Sequence, residues 1–173
     1  MGVKYIKGDL LKFFKEGRIN VLVHGCNCYC KMGAGIAKQI KEQFPEAYQA
    51  DLRYEDKQTL LGNIKEKRDK LGKYSSWKYK ENQYIVNAYT QDTYWDPEKM
   101  LSYPAIRKVF TKINKDFSNL KIGIPFIGCG LAKGNWSRVS EILEEVFEYK
   151  TIFVFYLNDS DFNRNVLAQT GEK

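Results

Sequence analysis

The sequence predicts one three-layer α/β/α domain, in which helices cover both faces of a central sheet. Three observations support this fold class. The chain has 173 residues, a length that typically folds around one hydrophobic core. Strand-like and helix-like segments alternate along it, which is typical of a sheet covered on both sides. Two strand-like segments run directly into glycine-rich loops, and such loops in open α/β sheets lie at the edge where ligands bind.

The N-terminal elements lead to the first glycine-rich loop. Val3–Ile6 is expected to form a strand, and Leu10–Phe14 a brief amphipathic turn that Gly17 ends. Val21–Val23 is an apolar run rich in β-branched residues, which predicts a buried strand. Beyond the loop, helical spacing predicts a helix that Pro45 ends, and then a further helical turn or two (Ile36, Ala37, Ile40 and Phe44, then Ala47–Tyr54).

The alternation continues to the C-terminus. Asn63–Lys67 and Gln83–Ala88 are expected to be strands. Asp96 and Pro97 are typical of a helix start, and the apolar spacing that follows extends this helix to Ile113. The last expected elements are a strand, a capped helix and a strand (Lys121–Phe126, Trp136–Phe147 with Asn135 as cap, and Thr151–Leu157). No Gly/Ser/Pro-rich linker interrupts this order, so residues 1–173 are expected to form a single domain.

Most of the positive charge is confined to one stretch. The net charge is +7, and Lys57–Lys80 contains eight basic and two acidic residues. This basic stretch is either a phosphate-facing patch or, as we favour, an ordinary solvated hairpin or loop. Its interleaved aromatic residues fit stacking on single-stranded nucleic acid or, again favoured, packing of one hairpin face on the core (Tyr74, Trp77, Tyr79 and Tyr84).

The two glycine-rich loops carry the predicted chemistry. The first glycine loop spans residues 23–37 and the second spans residues 124–131. Each leads to a helix N-terminus, where backbone N–H groups bind phosphate. The first is not a P-loop, because Gly35 is followed by Ile36 rather than by Lys and Ser or Thr. Two such loops at strand ends predict a clamp on a diphosphate.

Several short motifs occur in order over almost the whole chain. They are Gly8-Asp9-Leu10, His24-Gly25-Cys26-Asn27, Met32-Gly33-Ala34-Gly35-Ile36-Ala37, Phe44-Pro45-Glu46-Ala47-Tyr48, Pro125-Phe126-Ile127-Gly128-Cys129-Gly130-Leu131, Trp136 and Phe153–Leu157. Together they resemble the macro domain, an ADP-ribose-binding α/β/α module with a mixed central sheet. The sequence is most similar to the branch that includes ADP-ribose-1″-phosphate phosphatases and terminal ADP-ribosyl hydrolases.

The resemblance implies which residues bind ADP-ribose. Asp9 would accept a hydrogen bond from the adenine amino group, Leu10 would line the adenine pocket, and Tyr156 would pack against the adenine face. Asn27 would bond the hydroxyls of the distal ribose. The two glycine loops would close on the distal ribose and the diphosphate from opposite sides (Met32, Gly33, Ala34, Gly35 and Ile36 in the first; Ile127, Gly128, Cys129, Gly130 and Leu131 in the second).

His24 and Asn27 are the expected catalytic residues. His24 is the only histidine, and related phosphatases carry a histidine at this position, so the resemblance implies a general acid or base. Imidazole suits that role because it titrates near neutral pH. The alternative is a structural histidine that holds the loop in place.

The chain departs from the terminal ADP-ribosyl hydrolases at two positions. Those enzymes use a Lys soon after the mid-chain strand and an Asp directly after the second glycine loop. Here the strand continues as Tyr89-Thr90-Gln91-Asp92 without a lysine, and Ala132 follows the loop. A lysine nucleophile resolved by a carboxylate is therefore not expected, and Asp92 remains a loose candidate for a second acid or base.

The cysteines predict neither a metal site nor disulfides. Cys26, Cys28 and Cys30 alternate with His24, and in an extended segment this spacing places neighbouring sulfurs about 6–7 Å apart, too far to share an ion. Packed thiols are expected, with no metal and no cofactor. This cysteine pattern, the lack of a signal-like N-terminus and the absence of an apolar run of about 18 residues predict a cytoplasmic protein with no membrane segment.

The sequence therefore predicts a monomeric macro domain that hydrolyses a group at C1″ of the distal ribose. ADP-ribose-1″-phosphate is the expected substrate, with backbone N–H groups stabilising the departing phosphate. Three alternatives stay open: a non-catalytic ADP-ribose reader, a hydrolase that removes ADP-ribose from protein or nucleic acid, and a nucleic-acid binder with a degenerate pocket. ADP-ribosylated macromolecules are the further expected partners.

Overall fold

A computed structural model of the chain describes residues 1–130 and 132–168, and six strands in it form one sheet. The strands are β1 (Gly2–Lys7), β2 (Val21–Asn27), β3 (Tyr74–Lys80), β4 (Gln83–Gln91), β5 (Ile122–Ile124) and β6 (Thr151–Tyr156). Their order is β1-β6-β5-β2-β4-β3. All neighbours pair in parallel except β3 and β4, which form an antiparallel hairpin. The expected mixed sheet is confirmed.

Helices lie on both faces of this sheet. They are α1 (Leu10–Lys15), α2 (Gly35–Gln43), α3 (Pro45–Leu60), α4 (Pro97–Met100), α5 (Tyr103–Asp116), α6 (Trp136–Val146) and α7 (Asp159–Phe162), which continues into a π-helical segment at Asn163–Leu167. Within the described ranges, no helix is both long and apolar enough to span a membrane.

Alternation along the central strands explains the three layers. Val21 and Val23 of β2 pack with α5 and α6, whereas Leu22 between them packs with α1, α2 and α3. Val86 and Ile85 of β4 divide between the same two cores. Because successive strand side chains point to opposite faces, one apolar run supplies both cores, and the three-layer prediction is confirmed.

The prediction of a strand at Asn63–Lys67 is wrong, and the strand instead begins at Tyr74. The Asp69 carboxylate accepts hydrogen bonds from the N–H groups of Lys65 (3.0 Å) and Glu66 (2.9 Å), which holds this segment in a capped 3₁₀ turn at Lys67–Lys70. In β3 the side chains of Trp77 and Tyr79 pack on one core, and Lys78 and Lys80 are exposed, whereas Tyr74 and Tyr84 pack on the core at the opposite face of the sheet. The favoured packing of these aromatic residues on the core is confirmed, but it uses both faces of the hairpin instead of one.

The single helix expected after Asp96 is two helices. Leu101 is extended between α4 and α5 and pairs with Gln91. Ser102 then caps α5, since its Oγ accepts a hydrogen bond from the N–H of Ala105 at 3.2 Å. Pro104 has no N–H to donate to the Met100 carbonyl and its ring would clash with that carbonyl in a continuous helix, so it fits only the first turn of a new helix. Helix α7 has no counterpart in the sequence expectations.

Candidate functional site

A cleft of about 810 Å³ opens at the carboxyl edge of the parallel strands. Its walls come from the residues that follow β1, β2, β5 and β6. The structure brings thirteen predicted ligand-binding residues together in this wall: Asp9, Leu10, Asn27, Met32, Gly33, Ala34, Gly35, Ile36, Ile127, Gly128, Cys129, Gly130 and Tyr156. Leu131, the remaining one, lies outside the described residues. His24 is not part of the wall.

The first glycine loop presents an uncapped helix N-terminus to the cleft. Ala34 occupies the N-cap position of α2, and no side chain bonds to the helix there. In the described ranges no hydrogen bond reaches the amides of Gly33, Gly35 or Ile36. A Cβ at Gly33 or Gly35 would meet no atom within 4 Å, so the space beside the loop is open. Gly35 also has φ +58°, a conformation that favours glycine.

The second glycine loop is held against the segment between α4 and α5. Gly128 has φ +77°, and a Cβ there would lie 2.5 Å from Cδ1 of Leu101. Its carbonyl accepts a short hydrogen bond, 2.6 Å long, from the N–H of Gly134. A Cβ at Gly130, in contrast, would meet nothing within 4 Å. The loop is therefore rigid at its start and leaves open space farther along.

Asp9 and Tyr156 lie at the end of the cleft assigned to adenine. The Oδ1 atom of Asp9 accepts hydrogen bonds from the N–H groups of Leu11 (3.0 Å) and Lys12 (3.4 Å), which caps α1 and leaves Oδ2 outside both bonds. The Tyr156 ring packs between those of Phe126 and Phe162, with centroids 6.5 and 4.8 Å away. Both residues line the cleft, and their contacts with adenine stay predictions.

The C-terminal segment supplies cleft residues that the sequence did not reveal. Asp161, Arg164 and Asn165 line the cleft beside Tyr156, and an ion pair of 2.6 Å joins the first two. Asn158 caps α7, since its Oδ1 accepts a hydrogen bond from the N–H of Asp161 at 2.9 Å, but a cap residue indicates a helix start and not a binding wall. Only the packing of α7 beside β6 brings them there.

His24 lies in the core under the cleft rather than in its wall. It is completely buried, and its Nε2 lies 2.7 Å from Oδ1 of Asn87. The Asn87 amide nitrogen donates to the Ala47 carbonyl and to Ser75, so its oxygen faces the imidazole and Nε2 carries the proton. Burial lowers the pKa of His24 to about 4. Its Nε2 also lies 3.5 Å from Sγ of Cys26, a cleft residue, but the imidazole itself does not line the cleft. This position favours the structural alternative, and the role in proton transfer stays a prediction.

Asn27 braces the turn that starts the first glycine loop. Its Oδ1 accepts hydrogen bonds from the N–H groups of Tyr29 (2.9 Å) and Lys31 (3.3 Å), and its Nδ2 donates to the Lys31 carbonyl at 2.9 Å. The side chain is nearly buried but still lines the cleft. Contact with the distal ribose stays a prediction beside this observed role.

A buried polar cluster under the cleft was not predicted. Lys70 is completely buried, and its ammonium lies 3.5 Å from Sγ of Cys30, a cleft residue. The Cys30 thiol in turn donates to Glu55 at 3.0 Å. Nearby, the Tyr89 hydroxyl donates to Asp51 at 2.5 Å, while Oδ2 of Asp51 has no hydrogen-bond partner in the described chain. One lysine of the basic stretch, Lys70, therefore belongs to the core rather than to the solvated surface, since the charge of a residue does not show whether it is buried.

The cysteines are packed, protonated thiols. Burial raises the pKa of Cys28, Cys30 and Cys129 to about 12 in each case, and it raises that of Cys26. Within residues 1–130 and 132–168, no group of three His, Cys, Asp or Glu side chains is placed to hold a metal ion.

Comparisons with known proteins agree on one family. A family model described as Macro domain matches residues 23–143. An uncharacterized 17.5 kDa protein of Enterobacteria phage T4 is 37% identical over 83% of this chain and 89% of its own length. ADP-ribose glycohydrolase OARD1 of Bos taurus is 32% identical over 84% of each chain. ADP-ribose 1″-phosphate phosphatase of Meyerozyma guilliermondii is 46% identical over 27% of this chain and 26% of its own.

Proposed function

The chain belongs to the macro domain family, and on that premise we propose that its cleft binds ADP-ribose and hydrolyses a phosphate from C1″ of the distal ribose. The observation that carries the proposal is the uncapped N-terminus of α2 beside the open space at Gly33 and Gly35. Amides without partners at a helix N-terminus bind phosphate groups well. The bovine and yeast relatives both carry hydrolase names, which supports a hydrolase of ADP-ribose derivatives.

A phosphate leaving group fits the side chains at the distal end. Ala132 lines the cleft at the position where a terminal ADP-ribosyl hydrolase would have its carboxylate, and Gln91 lines it in the segment after the mid-chain strand, which contains no lysine. His24 is buried and neutral, so it offers no proton to this end. A phosphate monoester is mostly a dianion near neutral pH, because its second pKa is about 6, so the departing phosphate can take up the proton that the attacking water releases. Backbone donors can then stabilise the departing phosphate without a side-chain acid.

In this mechanism the chain contributes binding and orientation. Amides of the first glycine loop bind phosphate at the distal-ribose end of the cleft, and the second glycine loop closes the opposite side of the cleft. Water supplies the oxygen that replaces the ester bond, so ADP-ribose and inorganic phosphate are the products. Positioning and preformed N–H donors are the sources of rate enhancement.

Phosphate release from ADP-ribose-1″-phosphate tests the proposal. The wild-type chain should release phosphate, and Gly33→Val should lose at least about tenfold in turnover, because its side chain enters the space beside the free amides. Thr59→Val introduces the same residue at an exposed position of α3 and should retain activity. Binding of ADP-ribose without phosphate release would contradict hydrolysis and indicate a non-catalytic reader.

A further inference from the structure

One lysine in the wall of the cleft has no partner for its charge. The charged side chains that line the cleft among the described residues are Asp9, Lys31, Lys41, Asp161 and Arg164. Asp9 caps α1, and Asp161 pairs with Arg164. The Lys41 ammonium lies 4.3 Å from the centre of a tyrosine ring. Within residues 1–130 and 132–168, no carboxylate oxygen lies within 4.0 Å of the Lys31 ammonium.

The backbone places Lys31 at the end of the cleft where the distal ribose is expected. The N–H of Lys31 donates to Oδ1 of Asn27 at 3.3 Å, and its carbonyl accepts from Nδ2 of Asn27 at 2.9 Å. Only Met32 separates Lys31 from Gly33, where the free amides of the first glycine loop begin. The exposed Lys31 side chain and these amides therefore line the same part of the cleft.

The turn that carries Lys31 is held in an uncommon conformation. Cys30 has φ +55°, which is rare for a residue other than glycine. Its thiol donates to Glu55 at 3.0 Å and lies 3.5 Å from the buried ammonium of Lys70. Backbone strain of this kind persists where the surrounding structure holds it, and it is common at functional sites. The buried polar cluster therefore fixes the turn from below, and the next residue, Lys31, remains exposed.

A phosphate at C1″ brings more negative charge than the loop amides can balance. A phosphate monoester carries a charge of about −1.5 to −2 near neutral pH. The N-terminus of a helix is equivalent to only about +0.5 of an elementary charge. A lysine ammonium adds a full positive charge and three N–H donors. Hydrogen bonds between charged groups are also stronger than those from neutral amides.

We propose that the Lys31 ammonium binds the phosphate at C1″ and makes the cleft selective for substrates with an anionic group there. This inference rests on the proposed hydrolysis of a phosphate from C1″, and it names the side chain that recognises this phosphate. The ammonium keeps its own proton and stabilises the negative charge of the phosphate as it departs. ADP-ribose lacks the phosphate at C1″, so its binding should depend little on Lys31.

Initial rates of phosphate release from ADP-ribose-1″-phosphate test this role. Lys31→Gln should lower kcat/KM by about tenfold or more, whereas its calorimetric affinity for ADP-ribose should stay within about twofold of wild type. Lys31→Arg should recover most of the rate, because it restores the positive charge. Lys38→Gln removes an exposed lysine of α2 that does not line the cleft, so it is the matched control and should behave as wild type does.

Salt provides a readout that a purely structural role of Lys31 would not change. The ratio of kcat/KM between wild type and Lys31→Gln should shrink as salt is raised from about 0.05 to 0.5 M, because salt screens the attraction between an exposed ammonium and a phosphate. A ratio that stays constant over this range would contradict an electrostatic role of Lys31.

The outcomes separate this inference from the proposed function. Phosphate release at equal rates in wild type and Lys31→Gln would overturn the role of Lys31 and leave the hydrolysis standing. Equal losses of kcat/KM and of ADP-ribose affinity in Lys31→Gln would also overturn it and place this lysine beside the diphosphate.

No phosphate release by the folded wild-type chain would contradict the hydrolysis, and binding would then decide the role of Lys31. ADP-ribose-1″-phosphate would be stable in that case, so calorimetry can compare its affinity for wild type and Lys31→Gln. Binding at least about tenfold tighter to wild type would support the role of Lys31, and equal binding would overturn it.

Discussion

Lowering the pH should destabilise the fold through His24. Burial holds the pKa of His24 at about 4, below its ordinary value of 6.5. As the pH falls, the imidazole of the unfolded chain is therefore protonated before that of the folded chain. The contribution of the neutral His24 to the free energy of unfolding is complete above about pH 6.5 and is lost as the pH falls toward 4. At about pH 4.5 the expected loss is about 2.5 kcal/mol of unfolding free energy, at about 1.4 kcal/mol per pH unit.

Two measurements isolate this effect. The imidazole signals of the only histidine should not titrate between about pH 8 and 5 in an NMR series. Urea unfolding of wild type and His24→Gln at about pH 7 and 4.5 gives the free energies, since a Gln side chain offers Asn87 a similar N–H donor without titrating. Between these two pH values, wild type should lose about 2.5 kcal/mol more unfolding free energy than the variant. The contributions of all other titrating groups cancel in this comparison because both proteins contain them.

An NMR midpoint near 6.5 would refute the buried, neutral assignment. So would an equal pH-dependent loss in wild type and His24→Gln. Either result would place the imidazole within reach of solvent and restore the acid or base role that the sequence suggested for it.

Three further substitutions separate folding from binding. Gly33→Val should leave the free energy of unfolding in urea within about 0.5 kcal/mol of wild type, because its Cβ meets no neighbour. The same substitution should weaken ADP-ribose binding at least about tenfold by calorimetry. Normal affinity would contradict the assignment of the first glycine loop as the phosphate site. Asp9→Ala should cost about 1 kcal/mol through the lost α1 cap and also weaken ADP-ribose binding, and an unchanged melting temperature would contradict the cap. Tyr89→Phe should cost about 2 kcal/mol in urea unfolding because it leaves Asp51 without its donor, and full stability would contradict that buried bond.

Local signals in the sequence were sufficient for the framework of the cleft. Glycines after apolar runs marked the two loops, and polar residues before helices marked caps. Asn135, for example, accepts a hydrogen bond from the N–H of Ser137 at 2.9 Å, as its position predicted. These features depend on neighbours along the chain, so no knowledge of the tertiary fold was needed.

Features set by distant contacts were not predictable in the same way. The burial of His24 depends on Asn87 of the neighbouring strand β4, whose Oδ1 lies 2.7 Å from its Nε2, and the two residues are 63 positions apart in the sequence. Lys70 reads as surface charge in the sequence, yet Cys30 and Glu55 enclose it from segments 40 and 15 positions away. Arg164 joins the cleft only because α7 folds back beside β6.

Isothermal titration of the chain with ADP-ribose tests the central claim most directly. We expect one site with saturable heat at sub-millimolar ligand, with affinity at least about tenfold weaker in Gly33→Val and unchanged in Thr59→Val. No heat with the folded wild-type chain at these concentrations would contradict the assignment of the cleft as an ADP-ribose site.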